Sequence, residues 1–138
     1  MTTENKALIK RWFEEVWNQG RAETIEQLLA GNCVIHGLAD PSGAEVRGPE
    51  EFRVFHTQFR EAFPDMVVTV EDTIAEDDLV VARCSVRGKH SGDSLGFKAT
   101  HAPVEFTGIA IVRVQDGKFV EAWNNFDFMK MSQQLGVI

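Results

Sequence analysis

Tyrosine is absent from these 138 residues, and cysteine nearly so. Without a phenol the chain cannot build a tyrosine-based oxyanion hole. Its two cysteines, Cys33 and Cys84, each lie inside an apolar segment, which favours buried free thiols in a reducing compartment over a disulfide. Positive charge is also scarce: 14 Lys and Arg against 21 Asp and Glu leave a net charge of −7. No run of Lys and Arg supplies the basic stripe that counterion release from a phosphate backbone needs, so nucleic acid is not an expected partner. The amino terminus, Met1 to Lys6, is polar and carries no apolar stretch of the length a signal peptide or membrane span requires. A cytoplasmic protein without membrane attachment is expected. Metal-ligand spacings are missing as well: there is no HExxH, no Cys-x-x-Cys and no histidine pair at i, i+4 on one helix, so no metal is expected. Nucleophile elbows, phosphate-cradling loops and dinucleotide fingerprints are likewise absent. Gly88 to Gly96 is glycine-rich but lacks their spacing and follows the wrong kind of element. No cofactor is expected.

What is present is the balance of an ordinary globular chain, 43% hydrophobic and 25% charged, at a length that suits one core. A single domain over residues 1–138 is expected. Leu8, Ile9, Trp12, Phe13, Val16 and Trp17 recur at the spacing of one helix face, with Lys6, Lys10, Arg11, Glu14 and Glu15 on the other, and Asn18-Gln19-Gly20 ends that helix. A second short helix carries Ile25, Leu28 and Leu29 and is expected to stop near Gly31-Asn32 in a left-handed cap. A third starts at Gly48-Pro49-Glu50-Glu51, with proline in the first turn and two acids near the positive helix end. It shows Phe52, Phe55, His56, Phe59 and Phe63 on one side.

After Pro64-Asp65 the period becomes that of strands. Val80, Ala82, Cys84 and Val86 share one parity, Arg83, Ser85 and Arg87 the other, and the even face is the inner one. Val104, Phe106, Ala110, Val112 and Val114 alternate with Glu105, Thr107 and Arg113 up to a tight turn at Gln115-Asp116-Gly117-Lys118. The partner strand runs from Phe119 to about Phe126, with Val120, Ala122, Asn124 and Phe126 expected inside, and a short helix closes at Leu135-Gly136. The fold class is α+β: three helices, a curved antiparallel sheet and a terminal helix.

The order and spacing of Phe63-Pro64-Asp65, Val70-Glu71-Asp72, Lys89-His90-Ser91-Gly92, Pro103-Val104-Glu105-Phe106-Thr107-Gly108, Asp116-Gly117-Lys118, Glu121-Ala122-Trp123 and Gln134-Leu135-Gly136 resemble those of the SnoaL-like polyketide cyclases over nearly the whole chain. The resemblance implies the nuclear-transport-factor-like fold shared with ketosteroid isomerases and limonene epoxide hydrolases, a cone-shaped half-barrel closed by helices. It also implies ring closure in a polyketide precursor by intramolecular aldol condensation, without metal or cofactor. The family's general acid/base is an aspartate seven residues after the glycine of the GK turn, assisted by a histidine on the preceding strand. Those positions hold Asn124 and Ala110 here. A carboxamide does not titrate near neutral pH, yet it can donate a hydrogen bond to a developing oxyanion.

Asn124 is therefore a candidate polar pocket contact. Asp127 aligns with an acid of other family members, but it directly precedes Phe128-Met129-Lys130-Met131, where a helix cap is wanted. His90 has inward parity at the end of a family motif, and His36 stands where the family presents a polar pocket side chain. His56, among phenylalanines, is read as pocket wall or core, and His101 as exposed loop. Phe13, Trp17, Phe59 and Phe106 sit where helices and sheet face each other, and with His56 and Ala110 they form the expected lining for a small hydrophobic ligand.

Three functions fit. One is a cyclase or isomerase acting on a hydrophobic carbonyl compound through Asn124, His36, His90 and Asp127. Another is a non-catalytic binder of an apolar molecule. A limonene-epoxide-hydrolase-like relay needs an arginine, and Arg83, Arg87 and Arg113 read as outward-facing. The sheet face opposite the helices, with Ile109, Ile111, Phe119 and Trp123, is too apolar for water, so a homodimer through it is expected.

Overall fold

The computed structural model describes residues 2–39 and 45–138. Helix α1 (Thr2–Arg11) carries Glu4 in its first turn and Lys10 and Arg11 in its last, as the helix dipole favours. It runs without a break into a π-helical segment, Trp12–Asn18, that buries Trp12, Phe13, Val16 and Trp17. Helical periodicity alone does not distinguish this wider turn from an α-helix. Two hydrogen bonds to one strand residue hold its carboxyl end. The Asn18 amide donates to the Val68 carbonyl at 2.9 Å and accepts from the Val68 N–H at 2.7 Å, so it pairs with strand backbone as another strand would.

Helix α2 (Ala22–Leu28) ends earlier than its apolar spacing suggests. Leu29 is already extended, and the chain passes directly into strand β1 (Leu29–Ala39). Gly31 takes no left-handed conformation and caps nothing. Neither β1 nor the short β2 (Glu45–Arg47) is foreshadowed by alternation, because Gly31 and Asn32 interrupt the pattern and a register shift falls between Leu29 and Val34. Helix α3 (Gly48–Ala62) starts as expected, with proline in its first turn and with Phe52, His56, Phe59 and Ala62 buried.

Strands β3 (Val67–Glu76), β4 (Leu79–Lys89), β5 (Pro103–Gln115) and β6 (Lys118–Phe126) form the meander, and α4 (Phe128–Leu135) follows. The sheet order is β2-β1-β6-β5-β4-β3, with both ends unpaired, so the sheet curls without closing. Every pair is antiparallel except β1 with β6, which run parallel. That one parallel pair brings the amino-terminal half of the chain onto the last strand.

The even parity of β4 and β5 faces inward as read. On β6 the reading fails at the start. The β5–β6 register passes from Arg113 with Glu121 to Val114 with Phe119, which leaves Val120 as the extra residue of a bulge. Phe119 is therefore buried inside, and Val120 is not the inward residue. Phe119 thus leaves the outer face to which its parity had assigned it.

The helices lie over the inner face, and the core is continuous from Ile9 and Val16 through Ile25, Leu28 and Val46 to Val80, Cys84 and Val112. Cys33 and Cys84 are both buried free thiols, and burial pushes each up to about 12, which makes them poor nucleophiles at neutral pH. Among the described residues no helix is long and apolar enough to cross a membrane.

Candidate functional site

Between the helices and the curled sheet lies a cavity of about 70 Å³. Trp12, Phe13 and Trp17 enter it from the π segment, Phe52, Phe55 and Phe59 from α3, and Ile35 and Leu38 from β1. Val86, Phe106, Ala110 and Val112 form its floor, and Ala122, Asn124 and Phe126 of β6 with Phe128 of α4 add to the wall. No titratable side chain lines it among the described residues.

The aromatic wall is one connected cluster. Trp17 meets Phe52, Phe55 and Phe59 edge-on, at centroid distances of 5.8, 6.1 and 6.1 Å. Trp12 packs on Phe52 at 5.0 Å and on Phe119 at 5.6 Å. The π segment keeps this face because its last carbonyls have partners on α3. His56 Nε2 donates to the Val16 carbonyl at 2.6 Å, and Arg60 donates to the Trp17 carbonyl at 2.8 Å. Of the residues expected in the lining, Phe13, Trp17, Phe59, Phe106, Ala110 and Asn124 are there and His56 is not. Trp12 and Phe55 shared their helical faces and were legible in the same way. Ile35 and Leu38 were not, since they depend on a strand that alternation does not reveal.

Among the described residues, Asn124 carries the one side-chain amide in the lining. It is half-buried, and its Nδ2 donates to the His36 carbonyl at 3.1 Å. This occupies one of its two N–H groups and leaves the other, with Oδ1, available to a guest. The donor reaches the carbonyl because β1 comes very close here. Gly37 has φ +84°, and a Cβ on it would lie 1.8 Å from the Asn124 carbonyl oxygen.

The histidines do not converge on the cavity. His36 stands on the outer face of the sheet, opposite Trp123 in register and stacked on its ring at 5.6 Å. Its Nδ1 lies 2.6 Å from Glu45 and its Nε2 2.8 Å from Glu121. Along β1 the neighbouring Ile35 faces inward, and alternation therefore sends His36 out.

His90 is fully buried but does not line the cavity. It sits between Phe63 and Phe97, at 5.5 and 5.2 Å. The Thr100 N–H donates to its Nδ1 at 3.0 Å, which places the ring proton on Nε2, a group without a partner among the described residues. Here His90 fastens the loop between β4 and β5, helped by backbone bonds to Ala102 and His101. His56 belongs to the core beneath Trp17, its ring 5.0 Å from the indole. His101 is exposed, as read. Asp127 is exposed, and its carboxylate accepts the Lys130 N–H at 3.0 Å as the N-cap of α4. The arginines of the epoxide-hydrolase reading lie outside too: Arg83 pairs with Asp72, and Arg113 with Asp78.

Burial holds the His56 imidazole below its ordinary pKa, opposed by its bond to Val16. The neutral ring is thus the folded form. As pH falls through the unfolded-state value, the unfolded chain takes up a proton that the folded chain resists, so stability is full above that range and declines below it. His56→Gln, which keeps a donor near the Val16 carbonyl, should show a shallower loss between pH 7 and 5 than the parent in urea unfolding. Parallel curves for the two proteins would contradict this.

Residues 7–135 match the family model described as SnoaL-like polyketide cyclase. The aklanonic acid methyl ester cyclases DauD of Streptomyces sp. (strain C5) and DnrD of Streptomyces peucetius are each 26% identical over 130 residues, covering 94% of this chain and 80% and 88% of theirs. The crystal structure of IdmH from Streptomyces antibioticus superposes with a TM-score of 0.81 at 36% identity, covering 96% of this chain and 98% of that one.

Proposed function

The chain belongs to the SnoaL-like polyketide cyclase family, and on that premise we propose that it takes an uncharged, hydrophobic, carbonyl-bearing compound of polyketide type into its cavity and promotes ring closure there. The observation that carries this reading is the composition of the wall: among the described residues it is apolar and aromatic, with a single amide side chain at Asn124. Such a wall desolvates and folds up a hydrophobic chain, which brings its reacting ends together. The free Asn124 N–H can bond a substrate carbonyl oxygen and hold the negative charge that grows on it as the ring closes.

The family's carboxylate is replaced by this amide, and no other acid or base lines the cavity among the described residues. Proton transfers would then fall to water at the cavity mouth rather than to a side chain. The chain supplies position, water exclusion and one hydrogen bond. No group of three or more His, Cys, Asp or Glu among the described residues is arranged to hold a metal.

The same absence of titratable lining favours a second reading, a binder that returns its ligand unchanged. Both are tested by incubating the protein with short polyketide methyl esters, scoring thermal stabilisation and then identifying products. On the cyclase reading a stabilising ester is converted to a ring-closed isomer, and Asn124→Ala lowers kcat by about a hundredfold. A stabilising ester recovered intact establishes the binder instead.

The outer face of the sheet supports a homodimer. Ile109 is exposed, Ile111 and Trp123 are half-buried, and Arg113 lies 5.9 Å over the Trp123 ring. Sedimentation at micromolar concentration should give a dimer, and Trp123→Glu a monomer. A monomeric parent would refute the assignment.

A further inference from the structure

We propose that Gly108, through the ring of Phe126, sets the size of molecule that the cavity admits. The inference rests on the proposed cavity function but concerns how a guest gets in. Most of the lining is buried. Only Phe55, Asn124, Phe126 and Phe128 are half-buried, so the cavity meets solvent among them. At about 70 Å³ the cavity is smaller than the roughly 150 Å³ in which an apolar pocket holds one benzene ring. A ring-bearing guest therefore requires the wall to move, and the half-buried rings at the mouth are the least constrained part of it.

Phe126 and Phe128 stack at 6.4 Å with 27° between their planes, and Phe128 leans on Phe59 at 5.9 Å and on Phe106 at 6.1 Å. Phe128 rides on a fixed helix. Asp127 caps α4 and donates its N–H to the Thr107 carbonyl, and the Gln134 amide pairs with both the N–H and the carbonyl of Glu105. The Phe126 backbone is held in the β5–β6 ladder, but its ring is placed by packing alone. Its ring lies flat over Gly108, the residue opposite it on β5, and a Cβ there would sit 2.2 Å from ring carbon Cδ2. Gly108 has the inward parity of Phe106 and Ala110, so an added methyl would point to the inner side. It would lift the ring off the sheet toward Phe128, across the mouth. Glycine at this position is the recess in which the ring parks.

The test is stopped-flow binding of two neutral probes, the fused bicycle indole and the larger N-phenyl-1-naphthylamine, to the full chain and its variants. Phe126→Ala and Phe128→Ala should speed association of the larger probe at least tenfold, with dissociation faster too. Gly108→Ala should slow it at least tenfold, with the smaller probe less affected. Val112→Ala, which enlarges the buried wall away from the mouth, should change affinity mainly through the dissociation rate.

Association rates unchanged in both phenylalanine variants overturn the proposal, as does equal slowing of both probes in Gly108→Ala. So does absence of binding in parent and mouth variants alike. If the rates behave as expected while no ester is converted, the cyclase reading fails and the size gate stands.

Discussion

Gly37→Ala should cost about 3–5 kcal/mol and lower Tm by more than about 10 °C, the largest loss of any single methyl addition considered. Two effects add. Gly37 has φ +84°, where an L side chain is strained, and its Cβ would stand 1.8 Å from the carbonyl oxygen and 2.8 Å from the carbonyl carbon of Asn124. Those are backbone atoms, and they cannot retreat, because Asn124 is paired on its other side with Ala110 of β5. Relief must come from β1 moving off β6, which breaks the Asn124 bond to the His36 carbonyl and opens the cavity wall. Gly31→Ala on the same strand is the control. It has no positive φ and nothing within 4 Å of its Cβ, so its effect should stay within about 0.5 kcal/mol. Urea unfolding of the three proteins decides the matter. A Gly37→Ala protein within 1 kcal/mol of the parent would show that the close approach of β1 is not real.

Asn124→Asp should lose about 2–3 kcal/mol at pH 8 and regain most of it in acid. The amide donates to the His36 carbonyl, whereas an ionised carboxylate can only accept and would oppose that oxygen inside an apolar wall. Desolvation and the missing donor both favour the protonated acid, so its folded-state pKa rises above the unfolded value. The sign follows. The mutant's deficit is small below the unfolded carboxylate pKa and grows as pH rises through the folded one. Under the proposed function the same carboxylate supplies the proton acceptor that the cavity lacks, and cyclisation of a short polyketide methyl ester should rise about a hundredfold. Unfolding midpoints from pH 4 to 8, with product assays alongside, read both effects. A deficit that does not vary with pH would mean that Asn124 faces water, not the cavity.

Much of the fold was legible because its signals are local. Strict alternation over β4 and β5 gave the inner face, and the Asp116-Gly117 turn announced the hairpin, both residues taking positive φ. Pro49 with Glu50 and Glu51 placed the start of α3. The π segment, the Val120 bulge and the parallel pairing of β1 with β6 left no such trace. Each is a choice of register: partners distant in sequence make it for the π segment, through His56 and Arg60, and for the pairing, through Trp123 with His36, whereas the bulge is made inside the hairpin, where Val114 pairs with Phe119 and leaves Val120 out.

The candidate site divides along the same line. By itself the sequence determined that the cavity would be aromatic, that amide rather than carboxylate would occupy position 124, and that position 110 would hold alanine, since these are residue identities at positions whose inward parity is local. Only the tertiary structure decided the fate of the histidines. His36 and Ile35 differ by one residue on a strand, and that step sends one outside to Glu45 and Glu121 and the other into the cavity. His90 has inward parity, yet it lies just past the end of β4, packed between Phe63 and Phe97 and bonded to Thr100, and does not line the cavity. Sequence fixes which groups a chain owns and, through short-range sterics, which way a strand turns them. Which of them share a space depends on long-range packing and strand register, and those are settled only when the sheet curls.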